Sequence, residues 1–308
     1  MDENEFLGRI LPLFPQDDGV AVGPGDDCAA VRQPGSDRLL LMAVDQLVSG
    51  VHYDPAVTSP EAAGAKLLKR NVSDIAAMGG SPERAMVTVA TGLKDFAWLE
   101  RFYRGVAAAA GEWGVSVVGG DFASVPTPGM VAATLSIFGS VGAGDICLRS
   151  AGRAGDFVYV TGCFGDSYHS GHHLSFTPRV PEGQFLAGRF ARAMIDVSDG
   201  LLIDLKRLAA ASGVSARLDG ARVPRRGGAS LSQAWTDGED YELAFSVPPA
   251  LADELEAAWP FPGAPLTRIG LLQEGTPGRA FAPDGSELGA GGGGFDHFRG
   301  RGPGTLLA

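Results

Sequence analysis

Cysteine, positive charge and long apolar runs are all scarce in this 308-residue sequence. The three cysteines, Cys28, Cys147 and Cys163, are isolated and show no Cys-x-x-Cys spacing, which argues against a disulfide framework and against a zinc ribbon. The net charge of −11 argues against a surface that binds nucleic acid or an anionic membrane. No segment approaches membrane-spanning length and no secretion signal opens the chain, so we expect a cytoplasmic protein.

The phosphate-binding motif Gly-x-x-x-x-Gly-Lys-Ser/Thr is also missing. Acidic residues recur instead in short contexts that contain glycine or serine. They are Asp26 and Asp27 in GPGDD, Asp45 in AVDQL, Asp74 in VSDIA, Asp121 in VGGDF, Asp196 and Asp199 in IDVSDG, and Glu239 and Asp240 in DGEDYE. Each of these acidic residues, taken alone, is of a kind that commonly occurs in turns or at helix N-caps. Together they favour a site for several cations and a phosphate, because Mg²⁺ prefers oxygen ligands and glycine lets backbone amides approach a phosphate.

Asp74 is the least ordinary of these residues. Apolar residues at three- and four-residue steps predict a helix over residues 61–78, and aspartate is a poor residue for a helix interior. Asp45 and Asp121 are each expected to end an apolar strand, at one edge of a sheet where ligand crevices often lie. This helix and these strand ends mark the candidate site.

The apolar pattern divides the chain into two α+β halves of similar size. In the first half we expect strands over residues 39–45, 85–91, 115–121 and 131–141, with helices over 61–78 and 95–113. In the second half we expect strands over 157–162, 215–219, 241–247 and 266–270, with helices over 184–194, 200–212 and 250–258. The two α/β domains would be 1–148 and 149–308. The first four strands are too few to close a barrel, and their open edges predict a homodimer.

Several longer motifs, taken in order, carry a resemblance that covers nearly the whole chain. They are GPGDDCAAV, VDQLVSGVHY, NVSDIAAMGGSPE, VVGGDFAS, LRSAGRAGDFVYVTG, IDVSDGLLIDL, DGEDYELAF and GFDHF. The set resembles the thiamine-monophosphate kinases, whose superfamily also holds aminoimidazole ribonucleotide synthetase and selenophosphate synthetase. The elements SGVHY, GEDYEL and GFDHF point to the kinases within that superfamily.

The resemblance implies a reaction and an assembly. The γ-phosphoryl group of ATP would pass to thiamine monophosphate, giving thiamine diphosphate and ADP. The N-terminal mixed sheets of two chains would pair into a barrel-like homodimer, with the ATP site at that domain. The C-terminal domain would be an α+β sandwich that completes the active site.

The resemblance also implies roles for individual residues. Mg²⁺ would be bound by Asp27, Asp45, Asp74, Asp121, Asp196 and Asp199. ATP would contact Gly120, Asp121, Arg149 and Ser198, and thiamine monophosphate would contact His52, Glu239 and Phe295. No general base is expected, because the accepting phosphate oxygen is already ionised at neutral pH. Several Mg²⁺ ions would neutralise and position the two polyanions.

Two segments depart from the family pattern. Ala43 and Val44 stand where hydroxyl residues usually precede Asp45, and the segment GDSYHSGHHL over residues 165–174 leads into a connection that is shorter than usual. The histidines of that segment are His169, His172 and His173. We expect them to lie in a solvated loop, and a transition-metal site is the less favoured alternative.

Two other functions stay open on these observations. One is a sibling ATP enzyme that activates a different oxygen acceptor with the same fold. The other is a nucleotide- or Mg²⁺-binding protein that has lost turnover, for which Ala43, Val44 and the shortened segment are the support.

Overall fold

Two six-stranded sheets organise residues 3–289, which are the residues that the computed structural model describes, with side chains from Phe6 onward. The first sheet contains β1 (Val20–Val22), β2 (Ala29–Arg32), β3 (Arg38–Val48), β4 (Ser81–Thr91), β5 (Ser116–Ser124) and β6 (Val131–Gly142). The second contains β7 (Phe157–Thr161), β8 (Ala193–Asp196), β9 (Ser215–Leu218), β10 (Leu243–Val247), β11 (Leu266–Gln273) and β12 (Ala280–Phe281). The helices are α1 (Glu3–Ile10), α2 (Pro60–Ala77), α3 (Phe96–Glu112), α4 (His172–Ser175), α5 (Val180–Leu186), α6 (Leu201–Ala211), α7 (Leu231–Thr236) and α8 (Pro249–Ala258).

The first sheet is mixed and has one covered face. Its strand order is β1-β2-β3-β6-β4-β5, and β4 and β5 are its parallel pair. Along β6, Val131, Ala133, Leu135 and Ile137 are buried while the residues between them are half-exposed. This alternation of period two turns one face of the sheet toward α2 and α3. The opposite face has no covering helix within residues 3–289.

The second sheet has helices on both faces. Its strand order is β12-β9-β11-β7-β10-β8. Leu205 and Leu208 of α6 pack with Val158 and other residues on one face. On the other face, Leu255 of α8 packs with Tyr159 and with the strands around it. The two helical layers account for the burial of every β10 residue.

Helix α2 connects the two halves of the molecule. It starts at Pro60, after the Ser59 hydroxyl caps it by accepting a hydrogen bond from the amide of Ala62. It packs on the first sheet and on α3, and it also contacts α4, α5 and β8 of the second half. At 18 residues it is the longest helix described, and no helix within residues 3–289 is long and apolar enough to cross a membrane.

The α+β class with two sheets is confirmed, while two details of the prediction are wrong. Residues 184–194 do not form one helix: α5 ends at Leu186, the chain turns at Gly188 with a φ of 70°, and β8 follows. Asp45 and Asp121 do not end their strands, because β3 continues to Val48 and β5 to Ser124. The boundary near residue 148 stays a prediction, in the stretch between β6 and β7.

The close approach of α2 and α3 at Gly105 can be tested by substitution. A Cβ atom on Gly105 would lie 2.0 Å from the carbonyl oxygen of Glu61, whereas one on Gly111 would meet nothing within 4 Å. Gly105→Ala should therefore lower the free energy of unfolding by about 1–3 kcal/mol through overpacking. Gly111→Ala, the control on the same helix, should raise it by about 0.5–1 kcal/mol. Urea unfolding measures both, and an unchanged Gly105→Ala protein would contradict the close packing.

Candidate active site

Three carboxylates from three separate segments meet beside α2. Asp27 precedes β2, Asp74 lies in the last turn of α2, and Asp196 ends β8. One oxygen from each lies within 4.8 Å of the others, and within the described residues this is the group whose spacing could hold a metal ion. The Ser73 hydroxyl donates to Asp196 Oδ2 at 2.6 Å, so α2 orients a carboxylate of the second half.

The carboxylates raise one another's pKa values. Burial, followed by the charges of Asp45, Asp196 and Asp27, raises the pKa of Asp74 well above its ordinary value. Burial and then the charge of Asp27 do the same to the pKa of Asp196. The pKa of Asp45 is also raised by burial, although the charge of Arg70 opposes that effect. The cluster is therefore unfavourable in its ionised form unless further positive charge is present.

Two arginines supply part of that charge. Arg149 Nε donates to Asp27 Oδ2 at 3.1 Å, and the Arg149 amide donates to Asp26. Arg70 lies on α2, where its guanidinium is 3.4 Å from Asp45 Oδ1 and donates to the carbonyl of Gln46 at 2.6 Å. Arg149 therefore contacts a candidate metal ligand directly in this conformation.

The cluster and its surroundings keep an excess of negative charge. Eight carboxylates are linked by contact or by mutual effects on their pKa values: Asp26, Asp27, Asp45, Asp74, Asp196, Asp199, Asp204 and Glu239. Four basic side chains pair with members of this set: Lys66, Arg70, Arg149 and Arg207. Eight carboxylates against four cations leave a formal charge of −4, which bound metal ions would offset.

A second part of the site lies about two turns before Asp74 on α2, at Lys66. Lys66 Nζ is fully buried, pairs with Glu239 at 2.5 Å and donates to the carbonyl of His52 at 2.6 Å. Burial lowers the pKa of Lys66 to about 8. Burial alone would raise the pKa of Glu239, but the charges of Lys66 and Arg70 outweigh it and the pKa is lowered. His52 Nδ1 accepts from the amide of Val48, which orients the ring.

Glu239 lies in a strained backbone segment that hydrogen bonds hold in place. Its φ is 58°, a left-handed value that non-glycine residues rarely adopt, and the φ of Tyr241 is 51°. The amides of these two residues donate to the carbonyls of Ser198 and Val197. The strained segment is thereby fixed against the loop that follows β8, with Glu239 facing Lys66.

The loop after β8 is organised by a buried aspartate. Asp204 Oδ2 accepts from the amides of Ser198, Asp199 and Gly200 at 3.0–3.2 Å. Arg207 bridges Asp204 and Asp199. Arg207 therefore already neutralises Asp199. Ser198 lies in the same loop, two residues after Asp196.

The predicted site residues fall into three groups. Asp27, Asp45, Asp74, Asp196, Asp199, Arg149 and Ser198 surround the cluster, and His52 and Glu239 meet through Lys66. Gly120 and Asp121 do not join them. They lie on β5, three strands from β3 and so roughly 14 Å away at ordinary strand spacing, and Asp121 pairs with the outward-facing Thr88. Phe295 is outside the described residues.

Sequence reasoning missed three cations, one hydroxyl and one carboxylate that support the site: Lys66, Arg70, Arg207, Ser73 and Asp204. The signal available for two of them was spacing: Lys66 and Arg70 lie eight and four residues before Asp74, which places all three on one helix face. Gly120 has a packing role, because a Cβ there would lie 1.8 Å from the carbonyl oxygen of Val87.

The expectation of a solvated histidine loop is wrong for two of its three histidines. His172 Nε2 is 2.9 Å from the carbonyl oxygen of Asp240, and the buried His173 has Nδ1 3.0 Å from that of Ser167. The His173 ring also stacks on Tyr168 at 4.0 Å between centroids. Only His169 is largely exposed. No metal-binding group includes these histidines among the residues described.

Comparison with known proteins assigns the chain to a family. The N-terminal domain of AIR synthase related proteins matches residues 25–141, and the C-terminal domain matches residues 178–281. The thiamine-monophosphate kinase of Salmonella typhimurium is 36% identical, with 91% of this chain and 92% of that protein covered.

Two solved structures are similar over nearly the whole chain. AaThiL complexed with AMPPCP and TMP superposes with a TM-score of 0.82 at 28% identity, covering 96% of this chain and 97% of that one. Thiamine-monophosphate kinase from Stenotrophomonas maltophilia K279a superposes with a TM-score of 0.73 at 30% identity, covering 93% and 98%. The chain therefore belongs to the AIR synthase related family and, within it, to the thiamine-monophosphate kinases.

Proposed function

We propose that this protein transfers the γ-phosphoryl group of ATP to thiamine monophosphate, giving thiamine diphosphate and ADP. The observation that carries the proposal is the cluster of Asp27, Asp74 and Asp196 between the two halves, with its uncompensated negative charge. The similarity to AaThiL complexed with AMPPCP and TMP supports both substrates. A cytoplasmic location remains the expectation from the sequence.

Mg²⁺ is the cation that these donors fit best. All candidate ligands are carboxylate oxygens, and the described cluster includes no thiolate or imidazole. Asp27, Asp74 and Asp196 would hold Mg²⁺, with Asp45 and Asp199 beside them. When bound, Mg²⁺ would neutralise the phosphate oxygens of the two substrates and align them for in-line transfer. Ser73 would keep Asp196 oriented toward the ion through its hydrogen bond.

The acceptor would bind on the side of the site where His52 and Glu239 lie. Glu239 already pairs with Lys66, so its charge is partly used by the protein and is only partly available to the thiamine cation. Its main role would be to hold Lys66 beside the acceptor position. Tyr168 closes this region, because its hydroxyl donates to the carbonyl of Val51 and Lys66 Nζ is 5.6 Å from the centre of its ring. Phe295 would complete the pocket from the C-terminal tail.

ATP would contact Arg149 and Ser198 at the rim of the cluster. Arg149 now donates to Asp27, and a bound metal ion would compete with it for that carboxylate. Arg149 would then be released toward the phosphates of ATP, for which a guanidinium is a good donor. This exchange keeps Asp27 neutralised both with and without the metal ion.

We also propose a homodimer formed through the first sheet. Strand β5 is an edge strand, and every one of its residues is exposed. Val44 and Met86, whose side chains alternate with the buried residues of β3 and β4, lie on the open face of this sheet and are 63% and 44% exposed. A second copy of the chain would cover this open face and form hydrogen bonds with the unpaired backbone groups along the β5 edge. Asp121, which faces outward from β5, would then serve a site that the two copies share.

The first test is the reaction itself. With ATP and Mg²⁺, thiamine monophosphate should yield thiamine diphosphate and ADP. Free thiamine should not react, because its hydroxyl, unlike an ionised phosphate oxygen, must lose a proton before it can attack. Chromatography of the thiamine products, with ADP release as a second readout, measures both. Turnover of free thiamine at an equal rate would refute the proposed chemistry. Tight ATP binding without any product would support the alternative of a protein that has lost turnover.

The second test concerns the charge at Asp74. Its pKa is raised in the folded protein, so its ionisation costs stability progressively as pH rises above the unfolded value. Asp74→Asn should therefore raise the melting temperature of the metal-free protein at pH 8 and change it little near pH 4. Mg²⁺ should raise the melting temperature of the wild type by about 5 °C or more at 100-fold excess over Kd. The variant should lose most of that shift and ~100-fold of its turnover.

A matched control for Asp74→Asn is Asp253→Asn, which removes an exposed carboxylate from α8. This control should keep the Mg²⁺ shift and the activity. A wild-type Mg²⁺ shift in the Asp74→Asn protein would remove Asp74 from the set of metal ligands.

The third test concerns the dimer. Light scattering should give twice the chain mass of 31.8 kDa for the wild type at micromolar concentration. Met86→Glu, which adds a charge to the open face, should give monomers, whereas Val57→Glu should leave the dimer intact. Val57 is 81% exposed but lies in the loop before α2, away from the first sheet's open face. A monomeric wild type, or a Met86→Glu protein that stays dimeric, would exclude this interface.

A further inference from the structure

A second charged cavity lies in the C-terminal half, outside the carboxylate cluster. Its volume is about 240 Å³. Three arginines line it, Arg217 from β9, Arg268 from β11 and Arg222 from the turn after β9, together with Asp219. The apolar part of its wall includes Phe157 of β7 and Leu271 of β11. No residue of the proposed kinase site contributes to it.

Strand register explains how these residues come together. Leu271 pairs with Arg217 on one side and with Phe157 on the other, so the three side chains form a row across β9, β11 and β7 on one face of the sheet. Arg268 lies opposite Tyr159, two residues along β7 from Phe157, and therefore projects from the same face. Helix α8 packs around Tyr159 and Phe245 and leaves this outer part of the face uncovered within the described chain.

The positive charge of the cavity is only partly compensated, by Asp219. Within residues 6–289 none of the three arginines forms an ion pair, although the chain as a whole carries a net charge of −11. The single carboxylate, Asp219, accepts a hydrogen bond from the amide of Ala221 at 3.0 Å and is held by its own turn. The Arg268 guanidinium lies 4.5 Å from the centre of the Phe157 ring, which fixes it over an aromatic surface.

We propose that this arginine pocket binds an organic phosphate. A formal charge of +2 on the pocket favours a dianion over a carboxylate. Guanidinium groups also match the geometry of phosphate oxygens, to which they donate in pairs. Phe157 and Leu271 offer an apolar wall for the organic part of the ligand. The last described residue, Gly289, packs on Leu202 and Lys206 of α6, on the opposite face of the sheet, so the described chain leaves the pocket open.

Phenyl phosphate is a suitable probe, because it joins a dianionic phosphate to an aromatic ring. Calorimetric titration should be done with EDTA present, since without metal ions the carboxylate cluster repels anions. We expect one phenyl phosphate bound per chain, with inorganic phosphate binding more weakly for lack of the aromatic contact and benzoate more weakly for lack of the second charge. Absence of saturable phenyl phosphate binding to the full-length protein would overturn the proposal.

Paired variants assign the binding to the pocket. Arg217→Gln combined with Arg222→Gln should weaken phenyl phosphate binding by about 10-fold or more, since each removes a charged donor. The control combines Arg9→Gln with Arg153→Gln, two exposed arginines outside the pocket, and should bind as the wild type does.

Both double variants should keep the wild-type melting temperature and kinase activity with Mg²⁺ and ATP, because neither touches the kinase site. If the Arg217→Gln, Arg222→Gln double variant has a lower melting temperature, the single variant Arg222→Gln replaces it. The single variant should show a smaller loss of affinity for phenyl phosphate. Undiminished phenyl phosphate binding in these pocket variants, or equal loss in the control, would place the anion elsewhere and overturn the proposal.

Discussion

The burial of a charged helix between two sheets is the constraint on which this structure depends. Helix α2 is buried on nearly all sides, yet it carries two buried lysines and an aspartate. Each buried lysine needs a partner, and both lysines find one in the other half of the chain. Lys66 pairs with Glu239, and Lys69 donates to the carbonyls of Leu174 and Phe176. These contacts fix the two halves relative to each other, because leaving a buried charge unpaired costs several kcal/mol.

The same constraint prepares the site for phosphoryl transfer. The interactions around Glu239 and Lys66 are satisfied within the protein, whereas those around Asp74 are not, since Asp27 and Asp196 are also acidic. Unpaired negative charge is thus concentrated at this cluster, where burial and like charges raise the pKa values of both Asp74 and Asp196. Ionisation of the cluster costs stability, and the proposed Mg²⁺ binding would restore it and so couple folding to metal and substrate.

Local sequence periodicity predicted the helices and strands whose formation depends on neighbouring residues. The alternation in residues 131–141 and the helical steps in 61–78 gave β6 and α2 to within a residue or two, and an aspartate inside that helix correctly drew attention to Asp74. Pairings between distant segments, such as Lys66 with Glu239, have no periodic signal and could not be predicted. The positive φ at Gly188 that ends the predicted helix is likewise visible only once the chain is folded.

The position of Asp121 shows why a motif does not fix a site. Side chains alternate between the faces of a strand, so the direction of Asp45 or Asp121 depends on strand register and not on the neighbouring glycines. Asp45 pairs with the buried Leu135 and faces α2, while Asp121 pairs with Thr88 and faces outward. Within one chain the two carboxylates therefore lie on opposite faces of the same sheet. If both serve phosphoryl transfer, the open face must be part of an active site, and a second copy of the chain is the element that could close it.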